Sequence, residues 1–470
     1  MRKKALRNDI SGTPVTAACC CRSTIKGAFY MNIKFPGISQ SDLEYAFDCL
    51  NDCMQSDAAD FGFDYPYFTP GGAYGKQWWQ LDSSLALSGY KWKDRKFAET
   101  SLWNFIESQK EDGRICLWGN DILPKHAPGN WFPEQNEGVS SLPKIFDVTY
   151  HILQGTDDFE LLSSSYNMLK KYLDWWYKDR FDEKTGLITS VFEETFIPYL
   201  GSAMEYAALD TNVEVYVGLV YTANIADRLN KAVDAAGFRN KAGKLKSAIN
   251  TYLWNNEKGA YYPYDIRTGK HIDCLMASTF YPLRMNIAST EQKNKLITLL
   301  TDDEHFNWNT IPFTSVSKKD PLFQTTVGAY QGNASWSGNV WTLINEMVTR
   351  GLLDSGEKEL ATALALKTIY AFNRNCTEFI NPFDGSGHGV LKYAWTASQY
   401  LELIVEVIFG ISSDITKKEV CIFPNLCDEL KKHKLSIEGV MVFDNVFLDI
   451  CVDKGNLTYK ISDKSIKVKS

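Results

Sequence analysis

No run in this 470-residue chain approaches the ~18 apolar residues that a membrane-spanning helix needs. No pair among its 11 cysteines has the CxxC spacing of a zinc or dithiol site. The HExxH of a zinc hydrolase, the Ca²⁺ loop of an EF-hand and the GK[ST] of a phosphate cradle are missing too. Basic charge is not in excess. The net charge is -7, which offers no basic face to a phosphate backbone. These absences argue against a membrane protein, a zinc enzyme of the common kinds, a nucleotide-cradling enzyme and a nucleic-acid-binding protein. The cysteine count is odd; Cys19, Cys20 and Cys21 are consecutive and the rest scattered, which fits free thiols in a reducing cytosol. Cys49 and Cys53 stand i,i+4, but no second ligand pair follows. The N-terminal MRKKALRNDISGTPVTAACCC is basic, yet Arg7, Asn8, Asp9 and Gly12-Thr13-Pro14 interrupt any apolar core of a signal peptide. The expected location is cytoplasmic, with no cofactor, no metal, and no membrane or nucleic-acid partner.

What the chain has is aromatic surface. Phe, Trp and Tyr make up 13% of it, with 13 Trp and 24 Tyr. Such rings suit the apolar faces of sugars, and large cores use them as well. Residues 1–40 read as irregular and polar. Helical periodicity dominates afterwards. In DLEYAFDCLNDCMQ (42–55), Leu43, Phe47, Leu50 and Met54 share one face. Similar patterns cover 81–90, 95–110, 140–155, 159–180, 210–230, 233–254, 273–285, 290–301, 336–352, 355–374 and 394–410, twelve helices in all. Turn-rich FDEKTGLI (181–188) and WNNEKGAYYPYDIRTGK (254–270) separate some of them, the second running on into a hairpin. Long loops at alternate junctions, with no repeat of fixed length, predict an all-α fold. The expected form is a double ring of helical hairpins, an (α/α)6 toroid over 41–410. From about 411 the pattern alternates apolar and polar, as in KLSIEGVMVFDNVFLDICVD. That predicts a small β appendage over 411–470, packed on the helices because its own core is marginal.

Four stretches carry chemistry. GLITSVFEETFIP (186–198) sets Glu193 and Glu194 among Val191, Phe192, Phe196 and Ile197. Two readings fit locally. A Glu-Glu pair favours a helix N-terminus, which is the simpler one. A carboxyl in an apolar wall also has a raised pKa and can donate a proton near neutrality. PYFTPGGAYGKQWWQLDSSLALSGY (66–90) leads from a Pro-Gly-Gly loop into Trp78-Trp79 and Asp82-Ser83. It suits both an Asp-capped helix start and a sugar-binding rim. GNASWSGNVWTLINEMVTRGL (332–352) places Trp336, Gly338 and Trp341 before an amphipathic helix, where Gly338 allows close backbone approach. NCTEFINPFDGSGHGVLKYAWTASQYLELI (375–404) sets Glu378 before an Asn-Pro turn and a DGSGHG loop. His388 in that loop has no Ser or Cys nucleophile elbow nearby.

Together these stretches resemble the (α/α)6 glycoside hydrolases of families 63 and 37 and the related mannosylglycerate and glucosylglycerate hydrolases. Trp79-x-x-Asp82-Ser83 is similar to their WxWDS, with Leu81 at the second Trp. WSGNVW (336–341) is similar to WRGPVW, with Ser337 for Arg and Asn339 for Pro. TEFINPFDGSGHG followed by YAWTA is similar to E-Y-x-x-P-x-T-G-x-G…SWTA, and Leu209-Asp210-Thr211-Asn212 to VDLN. The resemblance covers about residues 60–410. It implies a general acid in the turn before VDLN, so Glu193, with Glu194 as substitute, and a general base at Glu378. It implies sugar contacts from Asp82, Asp210, Trp79, Trp336 and Trp341, with Tyr74 and Trp395 as further candidates. The implied reaction is inverting hydrolysis of an α-glucoside or α-mannoside in an oligosaccharide or small glycoside, across a carboxyl gap of roughly 6.5–9.5 Å. Phe192 and Phe196 are expected to keep the acid protonated, and a more open Glu378 to stay ionised. An α-L-rhamnosidase-like enzyme, a phosphorylase on a related barrel and a non-catalytic carbohydrate-binding protein are the rival readings.

Overall fold

Helix α1 (Gln40–Cys53) starts after Ser39, whose N–H donates to the Asp42 carboxylate at 2.8 Å, and buries Leu43, Phe47 and Leu50. Met54, expected on that face, instead opens the short strand Met54–Gln55. The computed structural model describes residues 31–56, 63–119, 138–196, 206–325 and 336–470, and those from Met31 onward form one unit. Cys19 to Cys21 and most of the segment expected as irregular lie outside the described residues.

The helices that follow are α2 (Gln80–Tyr90), α3 (Arg95–Ser108), α4 (Ile145–Leu153), α5 (Phe159–Asp179), α6 (Leu209–Arg228) and α7 (Ala232–Ala248). After them come α8 (Thr290–Leu300), the one-turn α9 (Asp303–Phe306), α10 (Thr342–Asp354), α11 (Lys358–Phe372) and α12 (Ala394–Glu402). The 273–285 stretch differs from expectation. Ala277–Asn286 is a kinked 3₁₀ segment, because Pro282 lacks an N–H to donate and Met285 turns left-handed at φ 49°. Six segments contact one another in a closed cycle: α2 with α4, α4 with α6, α6 with 277–286, 277–286 with α10, α10 with α12, and α12 with α2. Their burial explains this order. Every residue of α2 and α12 is buried, whereas α7 and α8 bury only a stripe. Helices α1, α3, α5, α7, α8 and α11 each pack on a member of the cycle.

Segments buried on all sides must place their polar groups against one another. They do so in a chain of ion pairs. Lys144 Nζ lies 2.8 Å from Asp147, 3.6 Å from Glu214 and 3.5 Å from Glu346. Arg284 bridges Asp147 and Asp354 at 2.9 and 2.7 Å. Arg350 holds Glu346, Glu402 and Glu406, and Lys91 holds Glu406 from another side.

After residue 410 the chain is mostly strand. Ile411–Asp414, Glu419–Ile422 and Lys467–Lys469 form one sheet, the last pairing parallel. Lys434–Phe443, Val446–Asp453 and Asn456–Ile461 form an antiparallel meander. Its outer edge at Lys434–Phe443 is covered by Asn32–Lys34, a segment expected to be irregular. An open edge of unpaired N–H and C=O groups accounts for that pairing. Among the described residues, no helix is long and apolar enough to cross a membrane, and no group of three His, Cys, Asp or Glu side chains is set to hold a metal.

Candidate active site

Residues at or just before the N-termini of several inner segments line one cavity: Leu81 and Asp82 of α2, Ser141 ahead of α4, Trp341 capping α10, and Tyr393 and Trp395 at the start of α12. Helix N-termini favour negative charge, and three carboxyls face this cavity.

Asp82 sits in the first turn of α2, not at its cap, and is buried. Tyr393 Oη donates to its Oδ1 at 2.6 Å. Burial outweighs that bond and pushes the carboxyl up to about 7. Glu193 sits in the turn after Val191 with left-handed backbone, φ 73°, a strained choice for a residue with a side chain. The turn is held on both sides: Leu142 N–H donates to the Glu193 carbonyl at 3.0 Å, and Glu194 N–H to the Val191 carbonyl at 3.1 Å. Burial, then the charge of Asp82, pushes Glu193 up to about 7.

Glu378 leads into the hairpin of Phe379–Ile380 and Gly387–His388. Its N–H donates to the Val390 carbonyl at 2.9 Å, and its Oε2 accepts from Val390 N–H at 3.0 Å. Burial pushes it up to about 8; the nearby Asp82 and Glu193 add to this, while Val390 N–H and the Tyr74 hydroxyl oppose it. The expectation that Glu378 is the more open group is therefore corrected. It is 3% exposed, and Glu193 keeps more surface. Gly389 lies so close that a Cβ there would stand 2.5 Å from Glu378 Oε2, at φ 71°. Gly389→Ala is expected to cost about 1–2 kcal/mol of stability from backbone strain and to lower activity more than that loss explains. Comparing the melting temperature with kcat/KM checks this; unchanged kcat/KM would refute the contact.

Other expected site residues fall elsewhere. Glu194 points away from the cavity and is wholly buried. Arg180 Nε and Nη2 donate to its two oxygens at 2.7 and 2.8 Å, and Ser140 N–H donates at 2.9 Å. With both oxygens engaged in an ion pair, Glu194 is not placed as an acid. Asp210 also does not line the cavity. It accepts from Thr195 Oγ1 at 2.7 Å and Phe196 N–H at 2.7 Å, so it braces the Glu193 turn and does not reach a sugar. Trp336 lines the cavity, but its ring is sandwiched between Trp341, 3.6 Å away at 7°, and Phe196, 4.2 Å away at 19°. Neither face is open for a sugar to stack upon; only the ring edge is. Trp79 stacks on Trp118 and donates to Gln77, and Tyr74 meets it edge-on. Gly338 admits the chain's own Gln324 carbonyl, where a Cβ would come within 2.5 Å. His388 bonds Ser386 in the hairpin and lies outside the cavity. Sequence reasoning missed Ser141, Thr195 and Tyr393; of these, Thr195 stood inside the quoted GLITSVFEETFIP and Tyr393 inside the quoted YAWTA. A larger cavity of about 490 Å³ between Arg350 and residues 410–425 holds Glu406, which is tied into ion pairs with Lys91 and Arg350.

A family described as the mannosylglycerate hydrolase MGH1-like glycoside hydrolase domain matches residues 197–396. The mannosylglycerate hydrolase of Rubrobacter radiotolerans is 27% identical over 176 residues, 37% of this chain and 38% of that protein. That of Thermus thermophilus is 28% identical over 148 residues, 31% of this chain and 33% of that protein. The chain is a relative of the six-hairpin glycosidases. The alignments span from about a third to 59% of the length of the curated relatives this chain matches. The crystal structure of a GH63 mannosylglycerate hydrolase from Thermus thermophilus in complex with Tris has the same helical fold. It aligns over 77% of this chain and 99% of its own at a TM-score of 0.65 and 17% identity.

Proposed function

We propose that this six-hairpin relative is an inverting, exo-acting glycoside hydrolase of small glycosides, with an α-mannoside or α-glucoside as its substrate. The closed cycle of six inner segments supports an (α/α)6 toroid with the C-terminal strands packed on it. The observation that carries the chemistry is the convergence of Glu193, Glu378 and Asp82 on one cavity at the N-terminal ends of the inner ring.

Glu193 is the general acid and protonates the leaving glycosidic oxygen. Glu378 is the general base and takes a proton from the water that attacks the anomeric carbon from the other face. The roles follow the resemblance, not the order of the two pKa values. Val390 N–H and Tyr74 donate to Glu378 and favour its carboxylate, but burial outweighs them and leaves Glu378 at about 8, above Glu193 at about 7. The productive form, with Glu193 protonated and Glu378 ionised, is therefore the minor of the two singly protonated forms. Asp82, fixed by Tyr393, accepts from sugar hydroxyls. Trp79 and Trp395 form the wall, and Trp336 and Trp341 give it rigidity.

The charge of Glu193 adds only a small part to the rise at Glu378. The productive form holds a single proton between them, so kcat/KM is expected to be bell-shaped with its maximum between about pH 7 and 8. Asp82→Asn removes a negative charge that raises both groups, so its basic limb is expected to move to lower pH. A pH–rate profile of the variant checks this, and a limb that stays or moves up would contradict it. A phosphate-free screen of α-mannosides, α-glucosides and α-L-rhamnosides tests the function itself. Release of mannose or glucose by the wild type, lost in Glu193→Gln and Glu378→Gln, supports it. Release of rhamnose alone, or turnover only with added phosphate, would replace it with a rival.

A further inference from the structure

At their C-terminal ends, several inner segments meet the β appendage around the second cavity. Trp341 caps α10 at the catalytic cavity; Leu353, three turns further along that helix, lines this one, about 18 Å away. Lys91 and Trp92 follow α2, Tyr150 and His151 stand in the last turn of α4, and the strand from Ile411 closes the other wall. The cavity's volume of about 490 Å³ lies within the roughly 300–1,000 Å³ of ligand pockets. We infer that this seam is a second, non-catalytic binding site, and that it takes a neutral oligosaccharide.

Its charges are matched from within the protein. Glu406 accepts from Lys91 Nζ at 2.5 Å, Trp92 Nε1 at 2.8 Å and Arg350 Nη2 at 2.6 Å. Asp414 pairs with Lys417 at 2.7 Å, and Glu419 with Lys469 and Lys467 at 2.7 and 3.2 Å. His151 lies 3.4 Å from Asp147, and Lys358 at the mouth is exposed to water. A charged ligand would compete with these pairs. Hydroxyl groups can join them, because a hydroxyl both donates and accepts. Neutral polar groups stand among the pairs: the side-chain amide of Gln154 and the hydroxyl of Ser413 line the wall and make no hydrogen bond among the described residues.

Phe423 supplies the apolar surface. It is 53% exposed, and a further cavity of about 400 Å³ opens beside it, walled by Pro424, Leu426 and Leu457. Lys358, Phe423 and Asn425 line both cavities, so the two form one groove past an exposed aromatic ring. Such a ring packs on the apolar face of a sugar, and an exposed apolar patch of this kind marks a binding surface. A groove on both sides of the ring suits a chain of sugars. Its place at the opposite end of α10 from the catalytic cavity makes it an anchoring site and not a subsite. The inference goes beyond the hydrolase reading, and the binding does not depend on it.

Isothermal titration of the full chain tests it. All proteins carry Glu378→Gln, which is expected to block hydrolysis, and the probes are mannotriose, maltotriose and trigalacturonate. A neutral trisaccharide is expected to bind with the same affinity after Asp82→Asn is added. It is expected to bind at least about 10-fold more weakly after Phe423→Ala or Gln154→Ala, the effect of losing a binding anchor, with the melting temperature unchanged. Binding lost with Asp82→Asn and kept in Phe423→Ala and Gln154→Ala would place the sugar in the catalytic cavity and overturn the inference. So would binding of trigalacturonate alone, or of none of the three at millimolar concentration. A dimer that Phe423→Ala converts to a monomer would make the groove a contact between two copies, and would also overturn it. Each of these results leaves the outcome of the hydrolysis screen untouched.

Discussion

Glu378→Gln is expected to lower kcat/KM by roughly 100- to 10,000-fold, the range for loss of a general acid or base. Above pH 8 it is also expected to melt at a higher temperature than the wild type. The second effect follows from burial. Burial pushes the folded carboxyl up to about 8, from an ordinary 4.5. Between those pH values the folded state keeps a proton that the unfolded chain has released. Stability therefore falls as pH rises from about 4.5 to about 8 and is level beyond. A glutamine carries no charge and escapes this loss, which has an upper bound of about 3–5 kcal/mol. The advantage is expected to vanish near pH 4.5. Thermal melts of both proteins at pH 4.5 and 8.5 check it. A variant less stable than the wild type at both pH values would show that Glu378 is held by its bonds and not burdened by its charge.

Arg180→Ala is expected to destabilise the protein by about 3–5 kcal/mol, because it strands the buried carboxylate of Glu194. Arg180 also bonds the Gly138 carbonyl at 2.7 Å and lies over the Trp175 ring. The double variant Arg180→Met/Glu194→Leu removes both charges and is expected to recover much of the stability. Activity is not expected to return. The bonds from Ser140 N–H and Val191 N–H to Glu194 are lost, and with them the pinning of the left-handed turn at Glu193. Chemical denaturation together with kcat for the single and double variants checks this. A double variant with full kcat would show that the Glu193 turn needs no such anchor.

The pair Glu193-Glu194 marks the limit of what one-dimensional reading resolves. Their setting in an apolar wall is legible, and so is their place before Leu209-Asp210-Thr211-Asn212. Which of the two faces the cavity is not, because a single dihedral at Glu193 sends adjacent side chains to different neighbours. Most helices announce themselves by periodicity, since a stripe facing a core repeats every 3.6 residues. The ion pairs among the inner segments do not. Lys144, Glu214, Glu346 and Arg350 look like ordinary surface charges until closure of the cycle buries them against one another. The tryptophans show a similar gap. Composition shows an aromatic-rich chain, but only packing reveals that Phe196 and Trp341 cover both faces of Trp336. Pro282 is visible in the sequence, and its missing N–H is the reason 277–286 departs from an α-helix. The strand at Asn32–Lys34 could not be read locally, because its partner lies some 400 residues away.

Proton NMR of the sugar first released from an α-glycoside tests the central claim most directly. A Glu193/Glu378 pair acting across a water molecule predicts the β-anomer first, with α appearing only by mutarotation, and no release from Glu378→Gln. Release of the α-anomer first would mean retention through a covalent intermediate. That outcome, or undiminished turnover in Glu378→Gln, would contradict the roles assigned to the two carboxyls.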